Sequence, residues 1–278
     1  MGTDDLMIDT SSGALPGPAA TITGDALARI AHEAGALIMP YFIQGCDVVE
    51  KKDNSPVTEA DHKAEALILE QLAAIAPGLP VLAEEEVAAG RIPDLGNVYA
   101  CVDPLDGTRE FINQRKDFTV NIGIVADKKP VAGVIYAPAR NALYVAHPEA
   151  APWMAEMAPD ADWAIPDQRK PLQTRKASEK LVAIASRSHR TAETNAFLDE
   201  HDVAEIISAG SSLKFCLVAE GKADLYPRMG RTMEWDTSAG QAIVEAAGGR
   251  VTLEDGTTPL HYQKAERDYD NPHFIVYG

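Results

Sequence analysis

The sequence predicts a layered α/β protein, with an α+β N-terminal half and an α/β C-terminal half. Three observations carry that expectation. Two amphipathic stretches open the chain, three apolar runs joined by tight turns follow, and strands then alternate with helices to the end. Successive apolar runs with short turns read as an antiparallel meander, whereas strand–helix alternation reads as a sheet layered with helices.

Residues 1–20, rich in Gly, Pro, Ser and Asp, read as a flexible tail. In "DALARIAHEAGALIMPYF", Leu27, Ile30, Ala34, Leu37, Ile38 and Phe42 recur at helical spacing. The polar stretch "EKKDNSPV" leads to a second helix from Thr58, which Pro77-Gly78 ends. "VLAEEE" and "VYACVD" read as short strands, and "FTVNIGIVA", "PVAGVIYAP" and "NALYVAHP" as the meander. Residues 148–178, with many prolines and mixed charges, read as the connection, dividing the chain into halves at 21–150 and 151–278. Beyond it come strand "LVAIASR", a helix near 191–201, strand "AEIISAG", a helix near 212–221 and strand "ADLYPR". A helix over 237–247 and the strands "RVTLE" and "HFIVYG" complete the pattern.

With 278 residues, 46% of them hydrophobic, the chain can build an ample core. Its 42 acids against 25 bases give a formal charge of −17. That balance argues against polymeric nucleic acid and anionic membranes as partners, while leaving small anions open to a local group of cations. Cys46, Cys101 and Cys216 offer neither a disulfide framework nor a zinc spacing and suggest a reducing compartment. The first residues lack a basic and then apolar leader, and no apolar run reaches membrane-spanning length. A cytoplasmic protein is expected; no signature of an oligomeric state is present.

The stretch "CVDPLDGTREFINQ" sets Asp103 and Asp106 around Pro104-Leu105. Like charges repel and proline cannot extend a ladder, so this crowding requires a cause. If Val98–Val102 is a buried strand, Asp103 emerges at its carboxyl end, where α/β proteins place ligand sites. Pro104 stiffens the turn, the Leu105 carbonyl is left available, and Gly107 permits a sharp bend. Two carboxylates and a carbonyl are hard oxygen donors suited to Mg²⁺ or Mn²⁺. Gly107 and Thr108 then read as opening a helix whose amides favour a phosphate. The plain alternative is a capped turn in which both aspartates bond backbone amides.

Three further acidic stretches bear on that choice. In "AEEE", Glu84, Glu85 and Glu86 follow an apolar run, so one carboxylate could be held at a strand end, although charge runs also line solvated faces. In "TEAD", Asp61 stands three residues after Thr58, as in a capping box. In "EWDTSAGQAIVEAAGG", Asp236 stands at the start of an Ala-rich helix, where a plain N-cap would serve equally.

Taken together, "DPLDGT" at 103–108, "WDTSAG" at 235–240 and the upstream glutamates resemble the lithium-sensitive inositol monophosphatase superfamily, over nearly the whole chain after the tail. Within it, "DGTREFI", "SRSH" and "GSSLKFCLVAEGKADLYPR" are most similar to the CysQ-type 3′(2′),5′-bisphosphate nucleotidases. The resemblance implies a layered α-β-α-β-α sandwich with the site between its halves. It implies that Glu84, Asp103 and the Leu105 carbonyl bind one Mg²⁺, and that Asp103, Asp106 and Asp236 bind a second. Asp61 and Thr108 would orient and deprotonate the attacking water, with Glu85 beside them and able to hold a third ion. Ala83 stands where the family commonly has Gly or Ser before the glutamate pair; Glu84 is taken as the ligand.

By the same resemblance, Ser211, Lys214 and Arg228 hold phosphate groups of a nucleotide and His189 contacts its base. Glu84, Leu105, Asp106, Gly107, Thr108 and Asp236 also border the substrate. Without the resemblance, Lys214 and Arg228 would read as solvated charges and His189 as a loop residue. Cys216 reads as core and Trp235 as packing that positions Asp236.

The implied activity is Mg²⁺-dependent removal of the 3′-phosphate from adenosine 3′,5′-bisphosphate, giving AMP and phosphate. A role in clearing a by-product of sulfate assimilation and inhibition by Li⁺ follow from the family. So does the peripheral inner-membrane placement often given to bacterial relatives, which no residue here shows. Four carboxylates, of Glu84, Asp103, Asp106 and Asp236, balance two Mg²⁺. Such ions can supply what a lone acid–base group, at roughly 10²- to 10⁴-fold, cannot. The alternatives are an inositol or broad sugar-phosphate phosphatase and, in a different class, an inactive nucleotide-binding regulator.

Overall fold

A computed structural model describes residues 13–51, 55–177, 179–186 and 191–278. Helix α1 (Gly24–Gln44) begins where the Thr23 hydroxyl accepts the Ala26 N–H at 3.1 Å, and it buries Leu27, Ile30, Ala31, Ala34 and Ile38. Strands β1 (Val48–Glu50) and β2 (Pro56–Thr58) form an antiparallel hairpin before α2 (Glu59–Ile75). Then come β3 (Val81–Ala83), α3 (Glu84–Ala88), β4 (Val98–Asp106), α4 (Thr108–Ile112), β5 (Thr119–Ala126), β6 (Lys129–Ala137), β7 (Ala142–His147), β8 (Ala150–Glu156) and β9 (Lys170–Pro171). Among the described residues, β3 to β9 form one seven-stranded sheet in sequence order, parallel between β3 and β4 and antiparallel thereafter.

The later chain contributes β10 (Leu181–Ser186), α5 (Ala192–Asp199), β11 (Val203–Ala209), α6 (Leu213–Ala219), β12 (Leu225–Arg228), α7 (Glu234–Ala246), β13 (Arg250–Leu253) and β14 (Phe274–Tyr277). Its five strands run in the order β11-β10-β12-β14-β13, parallel on the β10 side and antiparallel around β14.

The cores define the layering. Residues of α1 and α2 pack with Val102, Val120, Ile122 and Val134 on one face of the first sheet. Ile135, Ala137 and Tyr144, on its other face, join Phe215 and Cys216 of α6, Ile243 and Val244 of α7, and Tyr226, Phe274 and Val276 of the second sheet. Leu198 of α5 packs with Ala183, Leu225 and Ile275 on the far face. The result is the α-β-α-β-α sandwich that the family resemblance implies. Helix α7 sits closely on β5 and β6. A Cβ on Gly123 would stand 2.4 Å from Ser238 Oγ, and one on Gly133 would stand 2.6 Å from the Ala239 carbonyl.

The structure revises several boundaries. Residues 1–12 lie outside the described residues, but the rest of the expected tail is packed: Leu15 and Ala19 are buried, the latter within a 3-10 turn over Gly17–Thr21. The stretch read as a connection supplies β8 and β9, so the first sheet continues past residue 150. Alternation at Trp153 and Ala155, buried between half-buried or exposed neighbours, is obscured there by the surrounding prolines. The strand read in "VLAEEE" stops at Ala83, and its three glutamates lie on α3, which starts at Glu84. Helix α7 starts at Glu234 rather than 237, which places Asp236 inside its first turn. Among the described residues no helix is long and apolar enough to cross a membrane.

Candidate active site

Strand β4 does not stop at Val102. It runs on to Asp106, opposite Thr119 of β5, with its register broken between Asp103 and Asp106. Pro104 and Leu105 bulge out there, the device by which a strand re-aims its side chains without losing its partner. Gly107 then takes φ 91° and ψ 38°, and a Cβ on it would meet the Asp117 carbonyl at 2.9 Å. Only glycine serves at such a turn.

The bulge brings Asp103 and Asp106 to Asp236, which α7 supplies from the other half. One carboxylate oxygen from each of the three lies within 4.8 Å of the others. Capping and clustering prove compatible. Asp103 Oδ1 accepts the Leu105 N–H at 3.0 Å and Asp236 Oδ2 accepts the Met233 N–H at 2.8 Å. Asp106 Oδ2 accepts the hydroxyls of Ser211 and Ser212, each at 2.8 Å. No described residue donates to the second oxygen of any of these aspartates. Burial and then the neighbouring acids Glu84, Asp106 and Asp236 drive the Asp103 pKa far up. Burial, Asp106 and Glu84 raise that of Asp236 to about 7. Carboxylate oxygens that repel one another at this separation, one residue buried and two half-buried, form a donor set that fits a hard divalent cation.

Glu84 borders the same cleft but is engaged elsewhere. Lys51, just past β1, places Nζ 2.6 Å from Glu84 Oε1 and 2.6 Å from Glu85 Oε1. Burial pulls the Lys51 ammonium down, but the two glutamates outweigh it and hold the pKa above its usual value. Glu85 is buried on α3, and its N–H donates to Glu65 Oε2 at 2.8 Å. Burial raises both Glu85 and Glu65 to about 7.

Near the same group, Asp61 completes a capping box: its Oδ2 accepts the Thr58 N–H at 2.8 Å and the Thr58 hydroxyl at 2.6 Å. Its Oδ1 lies 3.3 Å from Thr108 Oγ1, which is also 3.2 Å from the Leu105 carbonyl oxygen. Burial raises the Asp61 pKa, against the lowering effect of Thr58. A hydroxyl that donates to a carboxylate of raised basicity keeps its own lone pairs for a water proton.

The substrate-side residues gather around Asp106. Ser211 takes a left-handed φ of 53°, uncommon for a non-glycine residue, and presents its hydroxyl to Asp106. Lys214 on α6 is buried, donates to the Ser211 carbonyl and lies 5.5 Å from the Tyr226 ring centroid. Burial lowers its pKa to about 8, with Asp106 opposing and Arg228 reinforcing the shift. Arg228, closing β12, donates to the carbonyls of Gly230 at 3.2 Å and Arg231 at 2.7 Å. These groups and the acidic cluster border one cleft of about 260 Å³ between the halves, whose wall also includes Leu105, Gly107 and Thr108. Asp61 and Glu85 stand behind that wall; His189 lies outside the described residues.

Sequence reasoning missed Lys51, Ser212 and Asn121. Asn121 Nδ2 donates to Ser212 Oγ at 2.9 Å, and its Oδ1 accepts the Thr119 hydroxyl at 2.8 Å. An amide in the wholly buried run "TVNIGIVA" was the available signal, because buried polar groups require partners. Lys51 carried none: a lysine beside a polar loop normally reads as solvated.

Residues 23–276 match the inositol monophosphatase family. The chain is 44% identical over 254 residues to the 3′(2′),5′-bisphosphate nucleotidase CysQ of Shigella flexneri, spanning 91% of this chain and 98% of that one. Among solved structures it is similar to CysQ of Bacteroides thetaiotaomicron, described as a bacterial member of the family. The identity is 40%, the TM-score 0.76, and the match covers 91% of this chain and 96% of that one. An IMPase of Thermotoga maritima matches at 24% identity and a TM-score of 0.72, over 90% of this chain and 89% of that one, and shows the shared fold alone.

Proposed function

The chain belongs to the inositol monophosphatase family, and from that premise we propose that it is a 3′(2′),5′-bisphosphate nucleotidase removing the 3′-phosphate of adenosine 3′,5′-bisphosphate. The observation that carries this is full-length similarity to such nucleotidases, in a chain whose acidic cluster and buried Lys214 share one cleft. Phosphatases of this family depend on a metal, typically Mg²⁺; the binding of two such ions by this chain is part of the proposal.

Asp103, Asp106 and Asp236 would hold Mg²⁺, with the Leu105 carbonyl and Glu84 completing the donor set and Glu85 available to a third ion. When bound, Mg²⁺ supplies charge neutralisation at the phosphoryl oxygens and eases removal of a proton from water. The protein's own groups do the rest. Thr108 orients the attacking water through its hydroxyl, and Asp61, made more basic by burial, draws the proton through Thr108. The paired serines fix Asp106 from one side, so its rotamer is set before substrate arrives. Lys214 sets a buried positive charge beside Ser211, where it offsets the carboxylates that an approaching anionic phosphate meets.

Phosphate release from adenosine 3′,5′-bisphosphate, inositol 1-phosphate and fructose 1,6-bisphosphate, measured side by side with Mg²⁺, tests the reading. A strong preference for the nucleotide is expected. A preference for inositol 1-phosphate would overturn it, and nucleotide binding without turnover would point to a regulator.

A further inference from the structure

Among the described residues, four cations border the cleft: Arg109, Lys214, Arg228 and Arg231. Three of them are engaged. Lys214 is buried and donates to the Ser211 carbonyl. The Arg228 guanidinium is tied from Nε and Nη2 to two carbonyls of its own turn. Arg231 Nε lies 3.3 Å from Asp270 Oδ1. Arg109 differs. It follows Thr108 directly on α4, is exposed on the cleft rim, and its side chain bonds to no described residue. Its fork of N–H donors is therefore available to a ligand, and that planar geometry suits bidentate phosphate contact.

A nucleoside bisphosphate brings two dianionic groups into a cleft already lined by Glu84, Asp103, Asp106, Glu110 and Asp236. The phosphate to be cleaved belongs at the aspartates and Thr108. The other has to be held at a distance set by the nucleoside, and without a cation it would be repelled by the same acids. We propose that Arg109 grips the phosphate that is not cleaved and so sets the preference for bisphosphates over monophosphates; this rests on the nucleotidase reading above. Lys214 and Arg228 contribute field there, while Arg109 supplies the direct contact.

The test compares the wild-type protein with Arg109→Gln and Arg109→Lys on adenosine 3′,5′-bisphosphate and on adenosine 3′-monophosphate, which lacks the second phosphate. For Arg109→Gln, KM for the bisphosphate should rise roughly ten- to hundredfold, the span expected for a lost charge-assisted contact, at nearly constant kcat. The monophosphate should change by less than about twofold, and Arg109→Lys should recover part of the loss. Calorimetry with Mg²⁺ should show weakened AMP binding and unchanged adenosine binding. Equal losses on both nucleotides, or none on either, would overturn the assignment of Arg109. Failure of the nucleotidase reading looks different: the wild-type protein itself would prefer inositol 1-phosphate.

Discussion

Thr108 and Asp61, 47 residues apart in the chain, meet with Oγ1 3.3 Å from Oδ1 because the start of α4 abuts the capping box of α2. Only one side of the Asp61 carboxylate is used to cap, so the other is available to Thr108. Thr108→Val should lower kcat by about a hundredfold, the low end for loss of a general acid–base group, with KM and the melting temperature little changed. Thr108→Ser should retain most activity. Steady-state kinetics with calorimetric melting decides it: unchanged turnover in the valine variant would remove Thr108 from water activation.

Lys51 bridges Glu84 and Glu85 at 2.6 Å each, a cation supplied by the chain itself. Breaking such a pair leaves buried charge uncompensated. In EDTA, Lys51→Met should therefore melt about 5 °C below wild type, taking about 2 kcal/mol spread over a protein of this size. Mg²⁺ should raise the variant's midpoint by more than it raises that of wild type, since Glu84 no longer has an internal partner. Equal Mg²⁺ shifts in the two proteins would contradict this competition.

Asp236→Asn retains the cap on Met233 but deletes one charge from the cluster. Turnover should fall below detection and Mg²⁺ affinity by at least about tenfold, as expected when a metal site loses a ligand. Because burial and neighbouring acids, Asp236 among them, raise the pKa of Asp103, the metal-free variant should be as stable as wild type or more so. Thermal melting in EDTA and in Mg²⁺ separates the two effects; a variant less stable in EDTA would show that Asp236 serves mainly as a cap.

Lys214 has its pKa lowered to about 8 by burial, so it loses its proton as pH rises through that value. Its positive charge is present below the folded pKa, and anion binding should weaken above it. KM for the bisphosphate should rise between pH 7.5 and 9, by about tenfold per unit at the steepest, while kcat is less affected. Arg at this position stays charged, so Lys214→Arg should flatten that rise. A flat KM profile in wild type would exclude Lys214 from phosphate binding.

Much of this architecture could be read from residues alone. Runs such as "FTVNIGIVA" and "PVAGVIYAP" are apolar enough to fix their strands, and the motifs around Asp103, Asp106 and Asp236 announced an acidic site. What could not be read depends on long-range geometry. The β4 bulge looks in sequence like a strand ending at a proline, because pairing with Asn121 and Thr119 is invisible locally. Leu15 and Ala19 resemble a tail until they pack beneath the sheet. The hold of Lys51 on Glu84 arises only when the β1–β2 hairpin folds toward α3.

The seat of α7 on β5 and β6, closed so tightly that neither Gly123 nor Gly133 has room for a methyl group, has a consequence for when the reaction centre comes into being. Asp236 rides on that helix, so its alignment with Asp103 and Asp106 is completed during folding and not on substrate arrival. Scissor-like opening of the two halves would require the helix to lift from the strands and forfeit that close packing. An alanine at either glycine would have to push that helix away from the strands, and weaker ion binding is the expected mark of such a shift.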